Sequence, residues 1–249
     1  MKTVVRMVYT AMIVLFFSNC ANKETAETPA TGQSDPVAAA QVSGEPCDVT
    51  IEGIQFTKSV NNAAALITTE ENGKIVFKTG EKTDYFSDPN GKLSNTTAPL
   101  LLTQVDNTKP FTFTAKVTPD FSGNDLYNAG VLYVYVNDGF FQKHCFEQDE
   151  RGNHRIVSVR TLGTSDDSNH DIVLQASAYM KISSDTHTIA SYYSLDNENW
   201  QMVRLYENNY PAQIWVGIST QCPVGKGTVS TFEALKLEER SVSDFRLGI

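Results

Sequence analysis

The segment FFQKHCFE, residues 140–147, sets a cation and an anion four positions apart in a run rich in rings. Drawn out as a strand, it puts Phe141, Lys143, Cys145 and Glu147 on one side and Phe140, Gln142, His144 and Phe146 on the other. A second strand, VLYVYV at 131–136, precedes it across Asn137-Asp138-Gly139. A two-residue Asp-Gly turn pairs Val134 with Lys143 and Leu132 with Cys145. A three-residue loop with Gly139 left-handed pairs Tyr133 with Lys143 and Tyr135 with Phe141. The second register is preferred, because it collects Leu132, Val134 and Val136 with Phe140 and Phe146 as a core face. The opposite face then holds Tyr133, Tyr135, Phe141, Lys143 and Glu147. Rings offer a platform to the CH-rich faces of sugars, and charged groups give strong hydrogen bonds to hydroxyls, so this face is a candidate glycan site. The plain alternative is a Lys143–Glu147 pair that satisfies only itself. Gln142 and His144 sit awkwardly on the core face.

Other polar groups are weaker candidates. Arg160 and Ser158 share a strand face and are expected either to join the glycan face or to be solvated. In SDDSNHD, residues 165–171, Asp167, Asn169 and Asp171 alternate like the start of a calcium loop. Ile172 replaces the turn glycine and Ala178 the bidentate glutamate, so turn-forming acids are the expected reading and no metal is assigned. His144, His154, His170 and His187 lack metal-ligand spacing, and no phosphate loop or nucleophile elbow occurs, so no cofactor is expected. Trp200 is expected to pack or to staple a hairpin, and Trp215 to be core.

These residues need strands to position them. Residues 66–69, 74–79, 111–117, 131–136, 154–161, 187–194, 201–206, 213–219 and 229–237 are rich in β-branched and aromatic types. ENGK, DPNG, VNDG, ERGN, SDDSN, SLDNEN and PVGKG read as turns between them. No window shows a convincing amphipathic helix. The expectation is an all-β sandwich, of jelly-roll size, in two antiparallel sheets.

Five segments in order resemble a family of concanavalin A-like proteins known as a domain of unknown function and, after one member, by the words "regulation of enolase". They are KTDYFSDPNG (82–91), AGVLYVYVNDGFFQKHCFE (129–147), VSVRTLGTSDDSN (157–169), SYYSLDNENWQMVR (191–204) and STQCPVGKG (219–227). The chain departs from the family pattern at Phe141, Asn197 and Cys222, where Trp, Gly and Ser are usual. The resemblance implies a concanavalin-type jelly roll with the glycan face concave. Arg160, Asp166, Asp167 and Gln221 fall in its motif segments and join the candidate ligand-binding residues. Glucanases of this fold resemble one another in a Glu-x-Asp-x-x-Glu strand. Here Glu147 and Asp149 fit, but Gly152 takes the third place, so binding without cleavage is expected. The alternative is an enzyme using Glu147 with a distant acid such as Asp166 or Asp167. A protein-interaction module is a third reading.

The N-terminus gives an address. Lys2 and Arg6 precede an apolar run and Cys20. This layout resembles a bacterial lipoprotein signal, with Phe17 and Asn19 departing from the usual lipobox. It implies that residues 1–19 are removed and that Cys20 carries lipid, anchoring an envelope protein in the outer membrane. Residues 20–46 contain no aromatic residue and read as a flexible tether, 47–240 as the sandwich and 241–249 as a tail. The formal net charge of −9 argues against nucleic acid as partner. Three cysteines then remain, with Cys145–Cys222 as one disulfide candidate and a link from Cys47 to the domain as another.

Overall fold

A computed structural model describes residues 41–71, 73–121 and 125–249. The signal segment, Cys20 and most of the expected tether lie outside these. Seventeen strands follow one another along the chain. The first six are β1 (Glu45–Ile51), β2 (Ile54–Val60), β3 (Ile67–Thr69), β4 (Ile75–Gly80), β5 (Tyr85–Ser87) and β6 (Ser94–Thr96). Next come β7 (Leu100–Asp106), β8 (Phe111–Pro119), β9 (Ala129–Asn137), β10 (Phe140–Gln148), β11 (His154–Leu162) and β12 (Thr164–Ile172). The last five are β13 (Ala178–Ser184), β14 (Thr188–Ser194), β15 (Trp200–Glu207), β16 (Gln213–Gln221) and β17 (Gly227–Glu238). One 3₁₀ turn, Ala63–Leu66, is the only helical element among the described residues.

The strands form the expected two antiparallel sheets. One has eight strands in the order β1-β2-β7-β16-β9-β10-β11-β12, the other seven in the order β15-β14-β13-β8-β17-β4-β3. β5 and β6 make a separate hairpin. Between the sheets, Leu132, Val134, Phe146, Ile156 and Ile218 meet Phe113, Val117, Met180, Ile182 and Phe232. Gly130 marks a tight approach, since a Cβ there would stand 2.4 Å from Val117 Cγ1. The other side of the eight-stranded sheet carries a second apolar layer: Val131, Tyr133, Tyr135, Phe141, Cys145, Val157 and Val159. With both faces covered, every residue of β10 is buried, which explains why FFQKHCFE shows no amphipathic alternation.

The β9–β10 register is the preferred one, with Tyr133 opposite Lys143 and Tyr135 opposite Phe141. Its cause differs from the expectation. Gly139 is not left-handed. Asp138 and Gly139 form a two-residue turn closed by Asn137 and Phe140, and a bulge at Val136 restores the register. Gln142 and His144 find partners across the interior: Tyr206 donates its hydroxyl to Gln142 Oε1, Gln142 Nε2 donates to Ser191 Oγ at 3.3 Å, and His144 Nε2 donates to the Tyr192 carbonyl at 2.8 Å.

Several expectations are corrected. SDDSN is not a turn but the middle of β12, a polar strand exposed along the sheet edge. Charge there discourages pairing with another chain. Trp215 is half-buried, with Lys58 Nζ 4.7 Å from its ring centre. Neither disulfide candidate forms: Cys47, Cys145 and Cys222 are all free thiols. Cys145 lies within the second apolar layer, and Cys47 donates to the Phe56 carbonyl. The domain begins ahead of residue 47, because Asp138 donates its amide to the Gln41 carbonyl and Ser43 bonds Tyr135 and Asp138. The tail is docked as well, with Tyr192 donating to the Phe245 carbonyl and Lys181 to that of Gly248, each at 2.8 Å.

Burial lowers the pKa of His144 to about 4. Between about 6.5 and 4 the unfolded chain therefore holds a proton there that the folded chain does not. This contribution to stability is complete above pH 6.5 and is lost as pH falls towards 4, by on the order of 3 kcal/mol. His144→Gln is expected to lose less stability than the unmodified chain over that interval, as read from urea midpoints at pH 7 and 4.5. Equal losses would show that His144 does not titrate in this way.

Candidate functional site

Strand pairing brings the site together in two rows. In the first, Gln221 lies beside Ala129 and Ala129 beside Glu147. Because Ala129 has almost no side chain, Gln221 reaches over it, and its Nε2 donates to Glu147 Oε2 at 3.2 Å. The same amide nitrogen donates to the Tyr127 carbonyl at 3.1 Å, so Gln221 Oε1 is turned to Lys143, whose Nζ donates to it at 3.1 Å. In the second row, Tyr133, Lys143, Val159 and Asp167 stand side by side across β9 to β12.

The remaining partner comes from outside the sheet. The segment leading into β5 crosses its outer face, and Asp84 Oδ1 accepts from Lys143 Nζ at 2.9 Å. The carboxyl is fixed by the Tyr85 amide at 2.8 Å, and the Asp84 carbonyl receives the amides of Thr97 and Ala98. A continuous buried line results: Asp84, Lys143, Gln221, Glu147. Around it Phe86, Leu93, Asn95, Tyr127, Val157, Val159, Asp167, Pro223 and Val224 wall a pocket of about 380 Å³.

The electrostatics follow from burial. Burial is the largest single influence on Lys143 and would lower its pKa, but Asp84, Cys145 and Glu147 together outweigh it, and the net shift is upward. Burial pushes Glu147 up to about 8; Lys143 opposes this, while Asp167 and Asp84 reinforce it. At neutral pH Glu147 is mainly a neutral acid, able to donate as well as accept. Asp167 is exposed as a residue on the edge strand, yet its carboxyl faces the pocket, and the partial desolvation there raises its pKa. Burial likewise raises that of Tyr127.

Of the residues expected to bind ligand, Lys143, Glu147, Asp167 and Gln221 line the pocket. Tyr133, Tyr135 and Phe141 share the face but are sealed beneath Tyr85, whose ring centre lies 6.3, 6.3 and 5.5 Å from theirs. Their role is to seat Tyr85 rather than to meet a ligand. Arg160 and Asp166 face the opposite way. They align with Gln142, one position out of phase with Lys143, Val159 and Asp167. Arg160 Nη2 donates to Asn209 at 2.7 Å, and Asp166 pairs with Arg204 at 3.1 Å. Ser158 shares that parity and is buried. Lys143 and Glu147 are not an isolated pair, since Gln221 bridges them. The sequence reading missed Asp84, Phe86 and Tyr127; KTDYFSDPNG was visible as a motif, but nothing showed that it lies over Lys143. The acids that resembled a calcium loop are drawn out along β12, and Asp171 accepts from Tyr193. Among the described residues no cluster of metal-ligating side chains occurs.

The fold and pocket define a two-sheet jelly roll with a small-molecule-sized cavity on one outer face. Within that class, the chain belongs to the family described as protein of unknown function (DUF1349), whose model matches residues 61–240. No curated protein matches the chain. A functionally unknown protein from Saccharomyces cerevisiae is 23% identical, covers 74% of this chain and 96% of its own, and superposes with a TM-score of 0.65. The GH43 protein BlXynB from Bacillus licheniformis is 15% identical with a TM-score of 0.56, over 74% of this chain and 36% of that one. A GH43B protein of a Bacteroides ovatus xyloglucan locus is 13% identical with a TM-score of 0.57, over 81% and 40%. These likenesses show the fold. The chain spans well under half of either GH43 protein.

Removing one member of a buried ion pair strands the other and costs about 3–5 kcal/mol. Lys143→Met and Asp84→Asn are each expected to destabilise the protein, Lys143→Met in that range. The double variant is expected to lose less than the two losses added together, which chemical denaturation of all four proteins measures. Strict additivity would show that the two groups are not coupled.

Proposed function

We propose that this protein is an envelope-anchored glycan-binding protein whose sandwich holds a sugar in the pocket beside Lys143, Gln221 and Glu147. The observation that carries the reading is the combination of a fixed buried hydrogen-bonding line with apolar and aromatic walls. A sugar presents hydroxyls that need oriented donors and acceptors, and CH faces that need Phe86, Tyr127 or the valines. Glu147, neutral at pH 7, supplies a donor; Asp84, Asp167 and Gln221 supply acceptors. The shared fold with parts of GH43 proteins, one neighbour being a xylan β-1,4-xylosidase, is consistent with this but rests on likeness of fold alone. The envelope location is motivated by the N-terminal layout ending at Cys20. Cys20→Ala is expected to move the protein from the membrane fraction of its host to the soluble fraction; persistence in the membrane would count against lipid attachment.

The binding test titrates the full chain with xylan, xyloglucan and arabinan, and with oligosaccharides made from them. At least one is expected to bind. Phe86→Ala and Tyr127→Ala are expected to weaken it by about tenfold or more with little change in melting temperature. Binding is expected to decline as pH rises through about 8, where Glu147 loses its proton. Retention of none of a wide saccharide panel would overturn the reading in favour of an interaction module. One observation favours a catalytic alternative: a carboxyl kept protonated at neutral pH is what a general acid requires. Release of new reducing ends that disappears in Glu147→Gln would replace binding by hydrolysis.

A further inference from the structure

We propose that the pocket receives the end of a glycan chain, an uncharged terminal sugar, and not a stretch from the chain's interior. This rests on the reading of the pocket as a sugar site.

The segment Thr83–Ser87 crosses the outer face of the eight-stranded sheet. At one end Thr83 and Cys222 exchange backbone hydrogen bonds of 3.2 and 3.1 Å, tying the segment to the chain just beyond β16. Asp84 is then fixed on Lys143 of β10. Tyr85 follows, packed on Tyr133, Tyr135 and Phe141, with its hydroxyl donating to Asp138 Oδ1 at 3.0 Å. At the far end the Ser87 amide donates to Ser165 Oγ at 2.9 Å, and Ser165 belongs to the edge strand β12. The segment is thus a strap laid across the sheet from β16 to β12 and fastened at both ends.

On the Tyr85 side nothing can enter. Tyr85, Tyr133 and Tyr135 have no exposed surface, and Phe141 has 1%. On the other side lies the pocket, bounded by Phe86 and Asp84 of the strap, by Tyr127, and by Pro223 and Val224. A polysaccharide bound along its length needs a trough open at both ends. Here one end is a wall of packed rings, so a chain can only point into the site. The volume of about 380 Å³ is near the lower limit of small-molecule sites, about 300–1,000 Å³, and accommodates one or two sugar rings. Leu93 and Val224, 47% and 62% exposed, stand at the mouth where a following ring would lie.

Charge selects the kind of sugar. Lys143 is the only cation among the described residues lining the pocket, and it is held by Asp84 and Gln221. Asp167 adds an acidic group with no further cation among the lining residues to balance it, and the neutral Glu147 adds no positive charge. A uronate or a phosphorylated sugar would bury its charge beside these acids without a partner of its own, whereas a neutral sugar carries no such cost.

The test is calorimetric titration of the full chain with neutral xylo-, manno- and cello-oligosaccharides of two to six units, with their parent polymers, and with oligosaccharides ending in glucuronate. For whichever neutral series binds, affinity is expected to be reached by the di- or trisaccharide and to change less than about threefold beyond it. Protein bound per gram of polymer is expected to rise in proportion to chain ends as an endo-acting enzyme shortens the polymer. Glucuronate-ended chains are expected to bind at least about tenfold more weakly, and Asp167→Asn to narrow that gap. Affinity that climbs with every added unit, or a capacity indifferent to the number of ends, overturns end-on recognition while leaving glycan binding intact. Equal binding of acidic chains, or a gap that Asp167→Asn leaves unchanged, overturns the charge selection. If none of these saccharides binds, the failure lies with the underlying reading instead.

Discussion

The buried contact between Lys143 and Asp84 is the constraint on which the outer half of the molecule depends. A lysine that is 2% exposed in the middle of an eight-stranded sheet cannot remain charged without a partner. Within the sheet no acid on its own face touches it, because Gln221 stands between it and Glu147 and Val159 between it and Asp167. The partner arrives on the strap, 59 positions earlier in the chain. Once Asp84 is placed, Tyr85 must come down on the three rings beside it and Phe86 must turn to the pocket. The interaction therefore does more than neutralise a charge. It sets the height and direction of the segment that divides the outer face into a filled half and an open half.

The same logic explains why polar residues are tolerated throughout β10. Gln142 and His144 are met by Tyr206, Ser191 and the Tyr192 carbonyl from the seven-stranded sheet, while Lys143 and Glu147 are met by Asp84 and Gln221 on the other side. Each buried polar group adds a directional requirement that an apolar side chain would not, so sheet spacing and register are specified by bonds as well as by packing. Glu147 is the exception in kind. Burial outweighs the nearby Lys143 charge and raises the pKa of Glu147, and with a single side-chain hydrogen bond, to Gln221, it is the group in the line best suited to meet something from outside.

What could be read from the sequence was whatever depends on neighbours in the chain. Strand parity and the hairpin register of VLYVYV and FFQKHCFE placed Tyr133, Lys143 and Glu147 on a common face, and five ordered segments pointed to the jelly roll and the family. Arg160 and Asp166 failed by a single step of parity: Val157 and Val159 occupy the outer face, so their neighbours cannot. SDDSN resisted because an edge strand needs no apolar face and composes itself like a turn. Asp84 was illegible for a different reason. Its partner is set by the three-dimensional path of a short strap, and nothing in the local pattern of KTDYFSDPNG encodes which residue it will cover.

This separation between local and distant information bears on how the site arises. The sheet supplies Lys143, Gln221 and Glu147 at positions dictated by pairing, and Ala129 leaves the gap through which two of them touch. That much is a generic consequence of adjacent strands. The pocket lies where the strap, tied to Cys222 beyond β16 and drawn over Lys143 towards Ser165, leaves Glu147 and Asp167 uncovered. A longer strap would bury the carboxyl completely and make the line purely structural; a shorter one would open the sheet face into a trough. The recognition properties of this jelly roll therefore reside less in its sheet residues than in the five residues from Thr83 to Ser87 and in the bonds that fasten their two ends.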